Sequence, residues 1–530
     1  AQQGTAKGAK ANATKDNSLS WIWDNIVNYT WKKSVHSITA TGVFSAQKYQ
    51  YDRLYGASKD LSFNSLWYNL NGGAIESLSS NFSQWTMMSY VGRINYGLMD
   101  RYLLTASLRY DGSSRLSEGN KWALFPSAAI AWRITEEDFA KNLDWLSNLK
   151  LRFSYGQAGN TNSVSPYASE GTISGSVYYP FGTSTSVGNL PANIANPMLT
   201  WERTSEYNVG LDFGFLNQRI SGNIEYYNRT TNDLLMKRNI PVHLGYSSVT
   251  SNVGSVRNSG FELQLNTANI MTKNFAWNTT INLAYNKNEI VSLADEEDLS
   301  NYSIHLQGMR GRYSDKRFIG KPVDTNWTQN TIGVWQLGEE EEAAKYGCVP
   351  GNFKIKDYNN DGKLTDDDYI IDGKRTPDWT GGMTNMFKIY DFDFSFHMYF
   401  QAGATQYDRF FENFALEWNS QNFNNLRTNY WTPENPSNTM GRPSQMGSRG
   451  NIAYERTDFL KVSYITLGYT LNKRLMSKWG LDNARIYVTV QNPFILTKFR
   501  GLDPEQPDLT NIGDTDGMTM NALLGVNISF

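Results

Sequence analysis

Residues 356 to 369 read KDYNNDGKLTDDDY, and their oxygen-bearing side chains are spaced as in a calcium-binding loop. Asp357, Asn359 and Asp361 fall at alternate positions, Gly362 follows where such a loop turns sharply, and Asp368 closes a twelve-residue window. Read that way, Asp357, Asn359, Asp361 and Asp368 offer side-chain oxygens and Lys363 its backbone carbonyl. Asp368 is one methylene shorter than the usual glutamate, so the expected Ca²⁺ affinity is weak and the ion structural. The competing reading is a metal-free turn whose Asp and Asn side chains accept backbone amides.

Little else in the chain looks like chemistry. Four histidines (His36, His243, His305 and His397) lie far apart, and the single Cys348 excludes an internal disulfide framework. There is no GxSxG, HExxH, GxxxxGK[ST] or GxGxxG. The run Glu339 to Glu342, within GEEEEAAKYG, reads as a short solvated helix. Two distant carboxylates could still make a glycosidase, but nothing favours one. The chain reads as a non-enzyme, with no catalytic residue to name.

The elements that must carry this loop are β-strands. In WNTTINLAYN, Trp277, Thr279, Ile281, Leu283 and Tyr285 share one face and Asn278, Thr280, Asn282, Ala284 and Asn286 the other. DFDFSFHMYFQ repeats the pattern with Phe392, Phe394, Phe396, Met398 and Phe400. Tyr90, Ile94, Tyr96 and Leu98 form one apolar row and Tyr102, Leu104, Ala106 and Leu108 the next, across a tight turn near Met99 and Asp100. A further hairpin turns at Leu216 to Gln218. About fifteen such strands are expected, joined alternately by short turns and by long connections near 50–83, 159–199, 290–377, 404–452 and 492–518. Residues 1–18 are polar and read as an extended loop, leaving 19–530 for the strands.

Composition admits a membrane barrel. The 530 residues carry 49 basic and 51 acidic side chains, so no bulk charge draws nucleic acid. Mean hydropathy is −0.52, and no uninterrupted apolar run approaches the roughly 18–20 residues a membrane helix needs, which excludes helical spans and leaves alternating strands open. Aromatics at 14% suit strands and interfacial girdles. The chain ends on LLGVNISF, an amphipathic strand closing on Phe530. On the residues alone a large soluble β-structure competes with the barrel.

Several segments, in order, identify the chain as similar to the C-terminal barrel portion of SusC/RagA-type TonB-dependent outer-membrane transporters. They include YDGSSRLSEGNKWALFPSAAIAWRITEEDF (110–139), LKLRFSYGQAGN (149–160), SNVGSVRNSGFELQL (251–265), the segment 350–383 that holds the opening loop, and ARIYVTVQNPFILTKFRGLDPE (484–505). The resemblance implies an all-β transmembrane antiparallel barrel of about 22 strands with long extracellular loops, this chain supplying roughly the last fifteen. It implies location in the bacterial outer membrane and import of oligosaccharides or peptides. It also implies a SusD-like lipoprotein lid and a TonB–ExbB–ExbD energising complex. A signal, TonB box, plug and first strands are expected on the parent chain or on a companion chain. Other functional readings are a surface-anchored adhesion module or a passive porin. The aromatic clusters at 176–182 and 410–431 could stack on substrate or pack loop against loop or lid, so no substrate residue is assigned.

Overall fold

Alternation at period two builds one large antiparallel sheet. The computed structural model describes residues 9–63, 68–241, 243, 245–246, 248–416, 428–443, 448–472, 476, 480–506 and 518–530. Its fifteen long strands are β1 (Ala9–Lys33), β2 (His36–Leu61), β3 (Ala74–Leu98), β4 (Tyr102–Ser113), β5 (Trp122–Arg133), β6 (Leu146–Asn160), β7 (Glu202–Phe215) and β8 (Ile220–Asn232), followed by β9 (Ser255–Met271), β10 (Phe275–Ser292), β11 (Trp379–Ile389), β12 (Phe392–Ala402), β13 (Phe459–Thr470), β14 (Asn483–Thr497) and β15 (Asn521–Ser529). They hydrogen-bond strictly in sequence order. The chain divides into two compact units, Ala1–Ala131 with Ser154–Glu206 and Thr231–Val253, and Trp132–Phe153 with Tyr207–Thr230 and Gly254–Phe530.

In the first unit the register lines apolar residues up across strands. Tyr29, Ala40, Ile94 and Ala106 stand opposite one another in turn, as do Trp31, Ile38, Tyr96 and Leu104. In the second unit Trp277, Phe387, Phe394, Leu467, Val488 and Leu524 form one such row. Leu263, Leu283, Gly381, Phe400, Leu460 and Leu496 form another. The opposite face is polar and internally bonded. Thr280 donates to Asn266 at 3.0 Å, Thr384 meets His397 at 2.9 Å, and Arg485 pairs with Asp393. Arg152 bonds both Asp212 and Glu225, at 2.7 and 2.8 Å. One dry and one wet face is the signature of a membrane-barrel wall.

Stacked aromatics mark both edges of the apolar band. Phe261, Tyr285 and Trp379 pack at one edge, with centroids 5.5 and 4.9 Å apart. Trp277, Phe387 and Phe394 pack at the other. Trp277 and Tyr285 are separated by about 27 Å of strand, a reach comparable with the roughly 25 Å apolar band of such walls.

The connections segregate by length. Short turns follow β1, β3, β7, β9 and β11, helped by left-handed backbone at Ser34, Met99, Asp100, Leu216 to Gln218, and Tyr390. The connections at the other end are 62–73, 114–121, 161–201, 233–254, 293–378, 403–458 and 498–520, five of them longer than the twelve-residue 134–145 and 471–482 on the short-turn end. Two expectations need correcting. From Ala9 onward the polar start is strand, not loop, and the expected 50–83 connection shrinks to 62–73. The ladder runs on past the apolar band where both faces are wet, so alternation disappears while cross-strand pairs persist. Asn17 donates to Asp52 at 2.9 Å and Tyr51 to Asp16 at 3.1 Å. Residues 1–8 lie outside the described residues.

Candidate functional site

The long connections of the second unit fold into a small structure of their own. Within 293–378, Thr325–Gln329 pairs with Tyr369–Lys374 and Thr331–Val334 with Phe353–Ile355. The expected acidic helix is present as α1, Glu340–Lys345. Val334 and Phe353 share a buried core with Phe411, Leu416, Trp431 and Met440 from 403–458. Apolar residues in these loops therefore cover one another.

The KDYNNDGKLTDDDY turn closes against Tyr346, which packs beside the buried Trp335, Ala343 and Cys348, and against Ser303, which donates to the Asp367 carbonyl at 2.9 Å. Asp357 Oδ1 accepts from the Asn360 amide at 2.6 Å. Its Oδ2 accepts from the Gly362 amide at 2.9 Å and the Tyr346 hydroxyl at 3.0 Å. Asn359 and Asp361 accept from the amides of Asp361 and Lys363 at 3.1 and 2.8 Å. Asp368, fully buried, accepts from the Tyr358 amide with one oxygen and the Thr365 amide with the other, both at 2.8 Å. Thr365 returns a capping bond to the short helical turn Asp366–Asp368. Gly362 has φ +78°, which the sharp turn requires.

The five residues read as calcium ligands thus gather in one turn, where Asp357, Asn359, Asp361 and Asp368 accept backbone amides and Lys363 donates its own to Asp361. Among the described residues no group of three or more His, Cys, Asp or Glu side chains is arranged to hold a metal ion. Both oxygens of Asp357 and of Asp368 accept hydrogen bonds within the protein. Burial works to raise the Asp357 pKa, yet the amides of Gly362, Asn360 and Asp361 and the Tyr346 hydroxyl hold it below the usual carboxylate value. Burial, followed by the bond to Asp357, pushes the Tyr346 phenol up to about 12. His305 stands edge-on to Tyr358 at 4.1 Å, and burial lowers its pKa. Neither Tyr346 nor His305 carries a spacing that would have announced its contact.

A second acidic residue escapes sequence reading altogether. Asp408 caps the one-turn helix α2, Arg409–Phe411, through its Oδ1 and the Phe411 amide at 2.9 Å. Its Oδ2 is buried without a hydrogen-bond partner, and burial raises its pKa to about 6. Glu455 beside it raises the value further, while Arg500, which is paired with Glu455, lowers it.

The two aromatic clusters divide. The stretch 176–182 lies on the hairpin Ile173–Phe181/Ser184–Pro191 of the first unit, with Tyr178 65% and Phe181 66% exposed. In 410–431, Phe411, Phe414 and Trp431 are buried, which is packing of loop against loop; residues 417–427 lie outside the described residues.

Comparison with known proteins accounts for this architecture. A family model described as "TonB dependent receptor-like, beta-barrel" matches residues 3–380. TonB-dependent receptor P26 of Formosa agariphila is 32% identical over 99% of this chain and 54% of its own length. TonB-dependent receptor SusC of Bacteroides thetaiotaomicron is 35% identical over 84% of this chain and 44% of its own. The chain spans about half the length of these relatives. Among solved structures, that of the RagAB peptide transporter superposes with a TM-score of 0.79 at 22% identity, covering 98% of this chain and 56% of that one. At that identity the match speaks for the fold.

Proposed function

Because the chain belongs to the TonB-dependent receptor-like β-barrel family of the bacterial outer membrane, we propose that it is part of an active importer of oligosaccharides or peptides. TonB–ExbB–ExbD would deliver the energy through a plug-bearing segment, on the parent chain or a companion, and a SusD-like lipoprotein would close over the long connections. The loop assembly carries this reading. A passive pore needs little more than loops that leave a channel, whereas here Val334, Phe353, Phe411, Trp431 and Met440 give the connections a core of their own. Such a platform suits docking of a lid, and the exposed Tyr178 and Phe181 suit contact with lid or substrate. Likeness to the TonB-dependent receptor SusC and to the RagAB peptide transporter supports import. The work is binding and passage, with no bond made or broken in the cargo.

The experiment is uptake by cells that produce the full-length protein. Fluorescent oligosaccharides and peptides are offered with and without an uncoupler, and with and without TonB. Uptake of one class that stops on either treatment supports the proposal. Entry that continues unchanged would instead make the protein a porin.

A further inference from the structure

The upper aromatic row of the second unit has a gap. Phe261, Tyr285 and Trp379 stand opposite one another in turn, and the next residue across the ladder is Ala402. Where an aromatic ring would continue the row there is a methyl group, and beside it opens a groove of about 1010 Å³. Phe400, Leu460 and Leu496 lie in its floor. They belong to the apolar face, and Leu496 is 60% exposed.

The rim is charged. Arg456 and Lys498 both line the groove, as does Asp458. Asp458 is engaged on both oxygens, accepting from the Gly403 amide at 2.7 Å and from Arg456 Nε at 2.8 Å. Two cations and one already-bonded carboxylate leave the rim net positive. Lys498 is exposed, two residues beyond Leu496 and just past the end of β14. An ammonium so close to a lipid-facing leucine is favourable where anionic headgroups begin. The groove lies at the end of β12 and β14 from which the long connections 403–458 and 498–520 depart, the outer side of the membrane.

We propose that this groove binds one phosphorylated lipid of the outer leaflet, its acyl chain over Leu460 and Leu496 and its phosphate between Arg456 and Lys498. The inference rests on the outer-membrane placement of the strands and is independent of what is imported. Arg456 remains able to donate from its outer guanidinium edge while held by Asp458, which orients it, and Lys498 supplies a mobile second donor. The apolar floor distinguishes this occupant from free phosphate, for which a hydrophobic groove of this length has no use.

The test is native mass spectrometry of the full-length protein released from nanodiscs of mixed phosphatidylglycerol and phosphatidylcholine, with phosphatidylglycerol as the probe. Wild type should retain one phosphatidylglycerol in preference to phosphatidylcholine. Arg456→Gln with Lys498→Gln should weaken that retention on the order of thirtyfold, from two surface cations removed. Ala402→Trp, which fills the groove and leaves both charges, should abolish it as well. Heat-modifiable migration verifies that each variant is assembled. Equal retention of both lipids, or retention unchanged in either variant, overturns the proposal. So does displacement of the lipid by millimolar inorganic phosphate, which would mark an anion site without a lipid.

Discussion

Replacing Asp368 tests whether the turn at 357–368 stands without metal. Its buried carboxylate accepts one amide on each oxygen, from Tyr358 and Thr365, both at 2.8 Å. Hydrogen bonds to a charged acceptor contribute roughly 1.5–3 kcal/mol each, and removing the acceptor also strands two donors away from water. Asp368→Ala should therefore cost about 3–6 kcal/mol. Asp368→Asn, which keeps one acceptor oxygen, should cost about half as much. The loss falls on the loop structure and not on the strands, so local opening of 357–368 should rise at least about a hundredfold. Limited proteolysis of the full-length protein on intact cells reads this directly, as cleavage within 357–368. Wild type should resist equally with calcium or with chelator, because the oxygens already have amide partners. Protection that appears with calcium and vanishes with chelator would refute the reasoning. So would an alanine variant as resistant as wild type.

Two further outcomes follow from the fold and the loops. Leu283→Arg should impair outer-membrane assembly by about 2–4 kcal/mol, the cost of a cation at the middle of a lipid face, whereas Asn282→Arg should assemble normally; equal heat-modifiable migration of the two would mean the faces are misassigned. Asp408 has a folded pKa near 6, above the ordinary value. Its contribution to stability is thus complete below the unfolded carboxylate pKa of about 3.9 and is lost as pH rises through about 6. Protease resistance of the 403–458 connection should fall over that window, and Asp408→Asn, which retains an acceptor for the Phe411 amide, should flatten the fall. A wild-type profile without pH dependence would dismiss the buried charge as its cause.

The wall is legible in the sequence wherever one face is dry. Leu283 beside Asn282, and Leu104 beside Thr105, announce their faces because a bilayer tolerates only one of each pair, and the register across neighbouring strands agrees. The same rule explains the failures. Between Ala9 and Trp21 water reaches both faces, so Thr14, Lys15, Asp16 and Asn17 alternate in nothing and read as loop although they are paired throughout. The connection 233–254 escapes notice because it contains a hairpin of its own, Leu235–Asn239 with Ser248–Asn252. At the candidate site, composition brings the right atoms to 357–368 without saying what they meet. Tyr346 and Thr365 supply the deciding hydrogens, and their approach depends on how the loop folds back. Asp408 is invisible for a related reason, since its burial is produced by neighbours far along the chain.

The strict sequential order of the strands has a kinetic meaning. Every strand pairs with the next, so the wall can grow one hairpin at a time, yet its steps are unequal. Joining β11 to β12 closes only Tyr390 and Asp391, while joining β10 to β11 must first close all of 293–378. By chain entropy alone the second closure costs about 3 kcal/mol more than the first. That connection also has to reach the outer side before its own pairs, such as Thr325–Gln329 with Tyr369–Lys374, can form. Growth of the wall should therefore slow at its long connections, and most at the β10–β11 junction.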